Sequence, residues 1–550
     1  MKRTRSDAAA PRGSRAAVGG ARARLDPITL ELIDSALRAA AVEMGATLKH
    51  SSYSPIIREM DDFSCALFRS DGDLIAQADH IPAQLGAMSL VVKVLKERWA
   101  GRIEPGDVFL ANHPYLGAMH TPDLNVIMPV FIAGELQAWS GSTAHHIDVG
   151  GVRPGTEGAD NEEIFAEGLV LPPVRLYVAG QENKDVFDIV TENVRDPRST
   201  VSDLQAQRAA CLVGKQRVEE LFARFSRQTL LSAFEEIVDS VERGLRVTLR
   251  ELPDGQAEAE GFLDDDGCGG PPTRLHVRLT KAGDMLTVDL SGSASQVRGA
   301  LNVPWASTRA SVVFAVKAMV NPDLPVNDGI LRPLDIICPE GSVLNPLSPG
   351  AVSVRHNTCQ RLADVLIRAF SRLWPDRAVA SSTVTFFGMN LETRSRRTGL
   401  KTVMSEVLGG GTGAHASGHG LDGVDTYMAN VGFLPVEVAE SEFHIRIPRT
   451  ELIRGSEGGG RFKGGRGIRR EYLVVDEPAT VMAYCEQTDP RFAPRGVDGG
   501  EDAGPSRLWV IDSAGSAMDL PSKITVKVDP GTLIRIETSG GGGYGRAEPR

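Results

Sequence analysis

At 550 residues the chain is too long for one ordinary hydrophobic core and has room for three or four structural units. Its 42% hydrophobic and 24% charged residues are those of a globular protein. The formal net charge of -11 argues against nucleic acid or an anionic membrane as the main partner. Only 5% of residues are aromatic, which disfavours a base-stacking platform. No run approaches the roughly 18 apolar residues of a membrane helix. Six scattered cysteines without a CxxC pair fit the reduced thiols of a cytoplasmic protein.

In chain order, residues 1–24 are basic and rich in Ala, Gly, Arg and Ser, and are expected to form a disordered tail. Asp26 can cap a helix with Pro27 at its first position, and apolar residues at helical spacing continue to Met44. Residues 63–68 and 74–77 read as a strand pair turning at Asp71-Gly72, and 85–99 as a helix. Residues 108–111 are a short buried strand ending at Asn112 and His113. Residues 126–132 and 136–140 form a second strand pair around Ala133-Gly134, and its second strand runs into Thr143-Ala144-His145-His146. Residues 202–250 are helical, the stretch to about 301 is strand-rich, 307–319 is a buried helix, and a helix follows Arg355 as far as Leu373. Asn357 or Thr358 can cap that last helix. The glycine blocks at 409–413, 458–460, 464–465 and 540–543 match no phosphate-binding loop and suit tight turns. The pattern predicts an α+β, mixed multi-domain architecture with several β-sheets. Its expected parts are a metal-site α/β domain at 25–250 with a helical extension, a strand-rich domain at 251–355 and a glycine-rich mixed domain at 356–550.

Four of the eleven histidines lie between Asn112 and Gly151, with carboxylates and glycines among them. His120 and Asp123 are three residues apart across Pro122, so a bent or extended turn can aim both at one ion. His145 arrives from the end of a strand, and Glu59 is a further carboxylate just before another. Two His, one Asp and one Glu satisfy a divalent cation such as Mn, Zn or Fe. His146 and Asp148 are expected to be catalytic, orienting a ligand or moving a proton; the alternative for Asp148 is a capped turn before Gly150-Gly151. His113, His356, Gln360 and Arg361 are candidate substrate or subunit contacts.

Taken together, these motifs resemble the hydantoinase B/oxoprolinase family. The resemblance runs from about Asp26 to Gly545 and rests on several runs. These are Arg58-Glu59-Met60-Asp61-Asp62-Phe63-Ser64-Cys65-Ala66, residues 80–88, 112–123 and 144–151, Asn193-Val194-Arg195, Ala300-Leu301-Asn302, Asn357-Thr358-Cys359-Gln360-Arg361, and the glycines at 409–413 and 540–545. It implies a hetero-oligomer. A hydantoinase A-type partner subunit uses ATP to phosphorylate the carbonyl oxygen of a small cyclic amide or ketone-derived substrate. The B-type subunit receives that substrate at a metal held by Glu59, His120, Asp123 and His145. The expected activity is ATP-dependent hydrolysis of a C–N bond in a cyclic amide. The alternatives are a subunit of an acetone- or acetophenone-type carboxylase, and a non-catalytic scaffold. Gln84, Asp425 and Tyr427 stand where many members have histidines, and residues 386–390 also differ from the usual pattern.

Overall fold

The computed structural model describes residues 25–547 apart from Asp79 and Leu85, so the tail expected at 1–24 lies outside the described residues. The first helix, Pro27–Ser51, starts as its sequence dictates: the Asp26 carboxylate accepts from the Thr29 N–H at 3.0 Å and Pro27 opens the first turn. It packs along the Pro197–Arg224 helix, where Gly214 leaves space for Met44 and the Ser140 hydroxyl. The stretch expected to be helical at 202–250 is two helices. Pro197–Arg224 ends at Phe225, and Ser226 caps Arg227–Glu251 by accepting from the Thr229 N–H.

These helices cover a seven-stranded antiparallel sheet in the order β2-β1-β5-β4-β3-β6-β7. Its strands are β1 (Phe63–Arg69), β2 (Leu74–Gln77), β3 (Val108–Ala111), β4 (Asp123–Ile132), β5 (Glu135–His145), β6 (Val174–Val178) and β7 (Gln181–Glu182). Ala133 and Gly134 both take positive φ, as a two-residue turn between twisted strands requires. β4 and β5 are longer than the apolar runs suggest, because polar residues at the far end of the ladder stay paired: Asp123 is opposite His145.

A second sheet, in the order β11-β10-β9-β8, uses β8 (Gly255–Leu263), β9 (Thr273–Ala282), β10 (Met285–Asp289) and β11 (Leu334–Ile337). The Arg355–Leu373 helix lies on β8 and β9 and against the buried Trp305–Met319 helix, so it belongs with this middle sheet. Its N-cap is Val354. Asn357 and Thr358 lie inside the helix, where the Thr358 hydroxyl donates to the Leu301 carbonyl at 2.6 Å, so neither is the cap expected above.

The C-terminal part forms two further sheets. One has the order β13-β12-β16-β19, from β12 (Phe387–Arg394), β13 (Lys401–Leu408), β16 (Ala479–Tyr484) and β19 (Lys523–Val528). The other has the order β14-β15-β20-β17-β18, from β14 (Ile445–Leu452), β15 (Ile468–Val474), β17 (Arg507–Ile511), β18 (Ala517–Asp519) and β20 (Leu533–Glu537). The glycine blocks interleave beside them. Gly465 donates to Thr412, Gly541 to Gly465 and Gly458 to Gly541, each at 2.9 Å. A Cβ on Gly464 would sit 1.8 Å from the Gly541 carbonyl oxygen, so only glycine permits this approach. One apolar core joins all parts, from Ile33 to Ile536. The fold is α+β with several sheets, as expected. Among the described residues no helix is long and apolar enough to cross a membrane.

Candidate metal centre

The β4–β5 ladder brings the site together. Asp123 opens β4 and His145 closes β5 directly opposite. His120 precedes them in a loop that Asn112 ties down: its amide donates to the Thr121 and Leu169 carbonyls and accepts from the Leu171 N–H. His120 Nε2 lies 3.1 Å, and His145 Nδ1 3.3 Å, from Asp123 Oδ1. His120 Nδ1 is 2.9 Å from the Ser353 carbonyl, to which it donates as Nδ1–H. That bond fixes the tautomer and leaves the Nε2 lone pair facing Asp123, the arrangement of a metal-ligating imidazole.

Among the described residues two donor groups, both containing His120, are compact enough to hold an ion: His120–Asp123–His145, and His120–Glu157–His356. A single ring serves one of them. The Ser353 bond occupies Nδ1, the atom nearest Glu157 at 3.6 Å, so the geometry favours the first group. His120 Nε2 has no hydrogen-bond partner of its own although it is buried, and a cation would satisfy it.

Around this trio stand Asp62, Glu157, Arg355, His356 and Tyr484. Arg355 Nη2 is 3.2 Å from Asp123 Oδ2. The Glu157 carboxylate accepts from the Tyr484 hydroxyl and the Asn390 amide, and faces His356 Nδ1 at 3.6 Å. Burial opposes the ionisation of Asp123, but His120, His145 and Arg355 hold its carboxyl well below the usual carboxylate range. Burial also opposes a charge on His145, yet the Asp123 hydrogen bond and the nearby Glu157 and Asp62 lift it to about 9. His120 and His356 are pushed down, first by burial and then by Arg355. Burial raises Asp62 to about 6, with His145 partly offsetting the rise. Burial thus disfavours a charge on His120, although Asp123 opposes that shift, whereas His145 must release a proton to ligate. The free space left is about 40 Å³, room for an ion and a few waters.

The other expected site residues fall in different places. Glu59 does not join the group: it caps the short Pro55–Arg58 helix, and its carboxylate accepts from Arg58 Nε at 2.8 Å. The nearer carboxylate of the same run is Asp62, whose carbonyl accepts from the His145 N–H. His146 and Asp148, expected to be catalytic, do not line the pocket. His146 Nε2 pairs with the Gln207 amide oxygen. Asp148 accepts from the Gly150, Gly155 and Arg195 N–H groups and from the Arg195 guanidinium, the capped-turn alternative in full. Asp148 is consumed by these partners, and its turn fixes the loop that presents Glu157, whereas the buried His146 Nδ1 has no hydrogen-bond partner.

His113 also stays outside the pocket, half-buried and edge-on to Tyr115. His356 and Gln360 reach the pocket, with Gln360 pinning the main chain at Thr426 and Met428, whereas Arg361 faces away into a separate cleft. Sequence reading missed Asp62, Glu157, Arg355 and Tyr484 as members. Only Asp62 carried a signal, since it immediately precedes the strand that pairs with β5 at Phe63–Ala144.

Fold and pocket define the class: an α+β protein whose central antiparallel sheet delivers a buried His/Asp group of the kind that holds divalent metals. The chain belongs to the hydantoinase B/oxoprolinase family, whose model matches residues 26–547. The B-type subunit of a putative D-/L-hydantoinase from a Pseudomonas species is 33% identical over 95% of this chain and 90% of its own length. Arabidopsis thaliana 5-oxoprolinase 1 is 32% identical over 94% of this chain but only 42% of its own length, so this chain corresponds to part of that larger protein. The crystal structure of the ATP-dependent caprolactamase from Pseudomonas jessenii superposes with a TM-score of 0.89 at 27% identity, covering 95% of this chain and 91% of that one. The family includes hydrolases of cyclic amides, and an ATP-dependent, cyclic-amide-related function is the activity it supports.

Proposed function

We propose that this chain is the B-type subunit of an ATP-dependent cyclic-amide hydrolase, with a divalent Mn, Zn or Fe ion held by His120, Asp123 and His145. The observation that carries this reading is the His120 Nδ1 bond to Ser353, which turns a bare, buried Nε2 toward Asp123 opposite His145. When bound, such an ion supplies Lewis acidity and makes water a competent nucleophile near neutral pH. The chain's own groups do the rest. Arg355 keeps Asp123 ionised and oriented. Glu157, steadied by Tyr484 and Asn390, is placed to take a proton from water and return one to the leaving nitrogen. Neutral His356 completes that wall.

An amide carbonyl is a poor electrophile, and phosphorylation of its oxygen by an A-type partner subunit activates the carbon: one water adds and the ring nitrogen leaves, giving an acyl phosphate, and a second water then releases phosphate and the open-chain acid. The relatives named as a hydantoinase subunit and as an ATP-dependent lactamase support this division of labour. Gln84, Phe386 and Asn390, where the sequence departs from the family pattern, all line the pocket. We infer that the substrate differs from hydantoin or oxoproline at the ring face these residues touch.

The test is co-expression with an A-type subunit, metal analysis of the purified complex, and a screen for ATP hydrolysis stimulated by hydantoins, lactams, oxoproline and ketones. Ring opening coupled to ATP use, with metal bound, is the expected result. Ring opening by the chain alone without ATP sinks the division of labour, and bicarbonate-dependent turnover of a ketone replaces hydrolysis with carboxylation. A metal-free complex that turns over at full rate leaves the pocket without its proposed role.

A further inference from the structure

A second concave site lies on the far side of the Arg355–Leu373 helix. It is a cleft of about 410 Å³ between that helix, β8 and β9, and the turn at Pro490–Phe492. That size is within the usual range of small-molecule sites. Arg274, Arg361, Arg368, Arg372, Arg491 and Arg495 line it, against Glu258, Glu260 and Asp364. In a chain with a net charge of -11, this concentration of guanidinium groups is local and directed.

The carboxylates do not neutralise it. Glu258 is paired with Arg278 and His276, and Glu260 with Arg274. Arg491 and Arg495 have Asp489 and Asp502. The three arginines that this helix turns to the cleft, Arg361, Arg368 and Arg372, have Asp364 as their one carboxylate on the helix, which lies 3.4 Å from Arg361 and 3.9 Å from Arg368. Arg372 donates to the main-chain carbonyl of Glu258. Two positive charges on this helix face are thus left over.

Arg361 is the sharpest part. Only 3% of its side chain is exposed, yet its Nε has no partner. Its other contact is from Nη2 to the Phe492 carbonyl. Opposite it, Gly261 interrupts β8: a Cβ there would come within 3.0 Å of Arg361 Cδ and 2.7 Å of Val365. The strand therefore gives up a side chain so that a buried guanidinium can lie at the cleft floor with an unmet donor. Leaving a buried charged donor unsatisfied is costly without a ligand. Planar guanidinium forks match the oxygens of phosphate.

We propose that this cleft binds a phosphate-bearing small molecule, with Arg361 at its floor and Arg368 and Arg372 as clamps above. The site is distinct from the metal pocket, and the proposal does not depend on the hydrolase reading.

The experiment is isothermal titration of the full chain, at constant ionic strength and with chelator present, using orthophosphate, pyrophosphate and ATP as separate probes. Chelation removes any contribution from a pocket metal. We expect saturable binding of at least one probe. Tightest binding of orthophosphate identifies a free-phosphate site, and tightest binding of ATP a nucleotide site. In the Arg368→Glu/Arg372→Glu variant, whose changes lie at the cleft mouth, affinity falls at least about tenfold while the melting curve is retained. Arg361→Lys, which keeps the charge but removes the fork, weakens binding as well. Absence of saturable binding by all three probes at millimolar concentration overturns the proposal, as does unchanged affinity in the folded double variant.

Discussion

One helix serves two sites that treat charge in opposite ways. The first turn of Arg355–Leu373 puts Arg355 and His356 into the narrow metal pocket, where these side chains and His120, Asp123 and His145 are buried and each lies within about 4 Å of an oppositely charged or titratable partner. Further along, the same helix puts Arg368 and Arg372 at the mouth of an open cleft, with one carboxylate among three arginines. In the pocket, desolvation forces each charge to find a partner, so the protonation pattern is fixed by the neighbours. In the cleft, water screens the excess, and positive charge can be kept in reserve for a ligand. The difference teaches that strength of pairing marks a preorganised centre, whereas surplus charge marks a site that awaits its counter-ion.

The largest effect should come from breaking the pocket. His120→Ala/His145→Ala should abolish metal binding, read by elemental analysis, and lower turnover of the complex by at least about a thousandfold. The cleft variant Arg368→Glu/Arg372→Glu should keep its full metal content. Next, Glu157→Gln should retain the metal but lower kcat about a hundredfold, the lower end of the usual worth of a positioned proton carrier. Loss of metal in that variant would instead make Glu157 a ligand.

A third effect is on stability. Burial pushes the Glu167 carboxyl up to about 8, despite bonds from the Ser353 and Val352 N–H groups. A carboxyl whose pKa is raised on folding favours the folded state while protonated, and that advantage is lost as pH rises from the unfolded value near 4.5 through 8. Glu167→Gln keeps an acceptor for both N–H groups and cannot ionise. Relative to the parent chain it should therefore gain stability between about pH 5 and 9, on the order of 1 kcal/mol per pH unit in the steepest part of that window, read by denaturant melts. A parallel pH profile would show that Glu167 does not titrate there. The smallest effect should be Arg372→Gln: an exposed guanidinium without a carboxylate partner contributes little to the fold, so the melting temperature should not change measurably while phosphate affinity drops.

The legibility of the sequence follows the range of the interactions. Asp26-Pro27, Ala133-Gly134 and the strand that ends in His145 are local signals, and the structure has each of them. His120 and Asp123 were legible for the same reason, being three residues apart beside a strand. Glu59 turns to Arg58, whereas Asp62 adjoins the sheet, and that difference is one of register. Only the residue just before β1 can face the end of β5, because the ladder pairs Phe63 with Ala144. Glu157 could not be found locally: it owes its position to the Asp148–Arg195 knot and to Tyr484 and Asn390 from β16 and β12, far along the chain. His146 misled because neighbouring residues at a strand end point to opposite faces, so the partner of His145 in sequence is not its partner in space.

The interleaved glycines have a consequence in time as well as in space. Phe386, Asn390, Val407 and Tyr484, which wall the metal pocket, belong to or adjoin a layer whose edge at Gly411 is locked by Ser539 and by the 540–543 block. That layer cannot close until a distant downstream segment has been synthesised and threaded into place. Non-local closure of this kind is slow and leaves apolar surface open meanwhile. The pocket should therefore be among the last parts of the molecule to mature, and its ligands should meet a metal only once the chain is nearly whole.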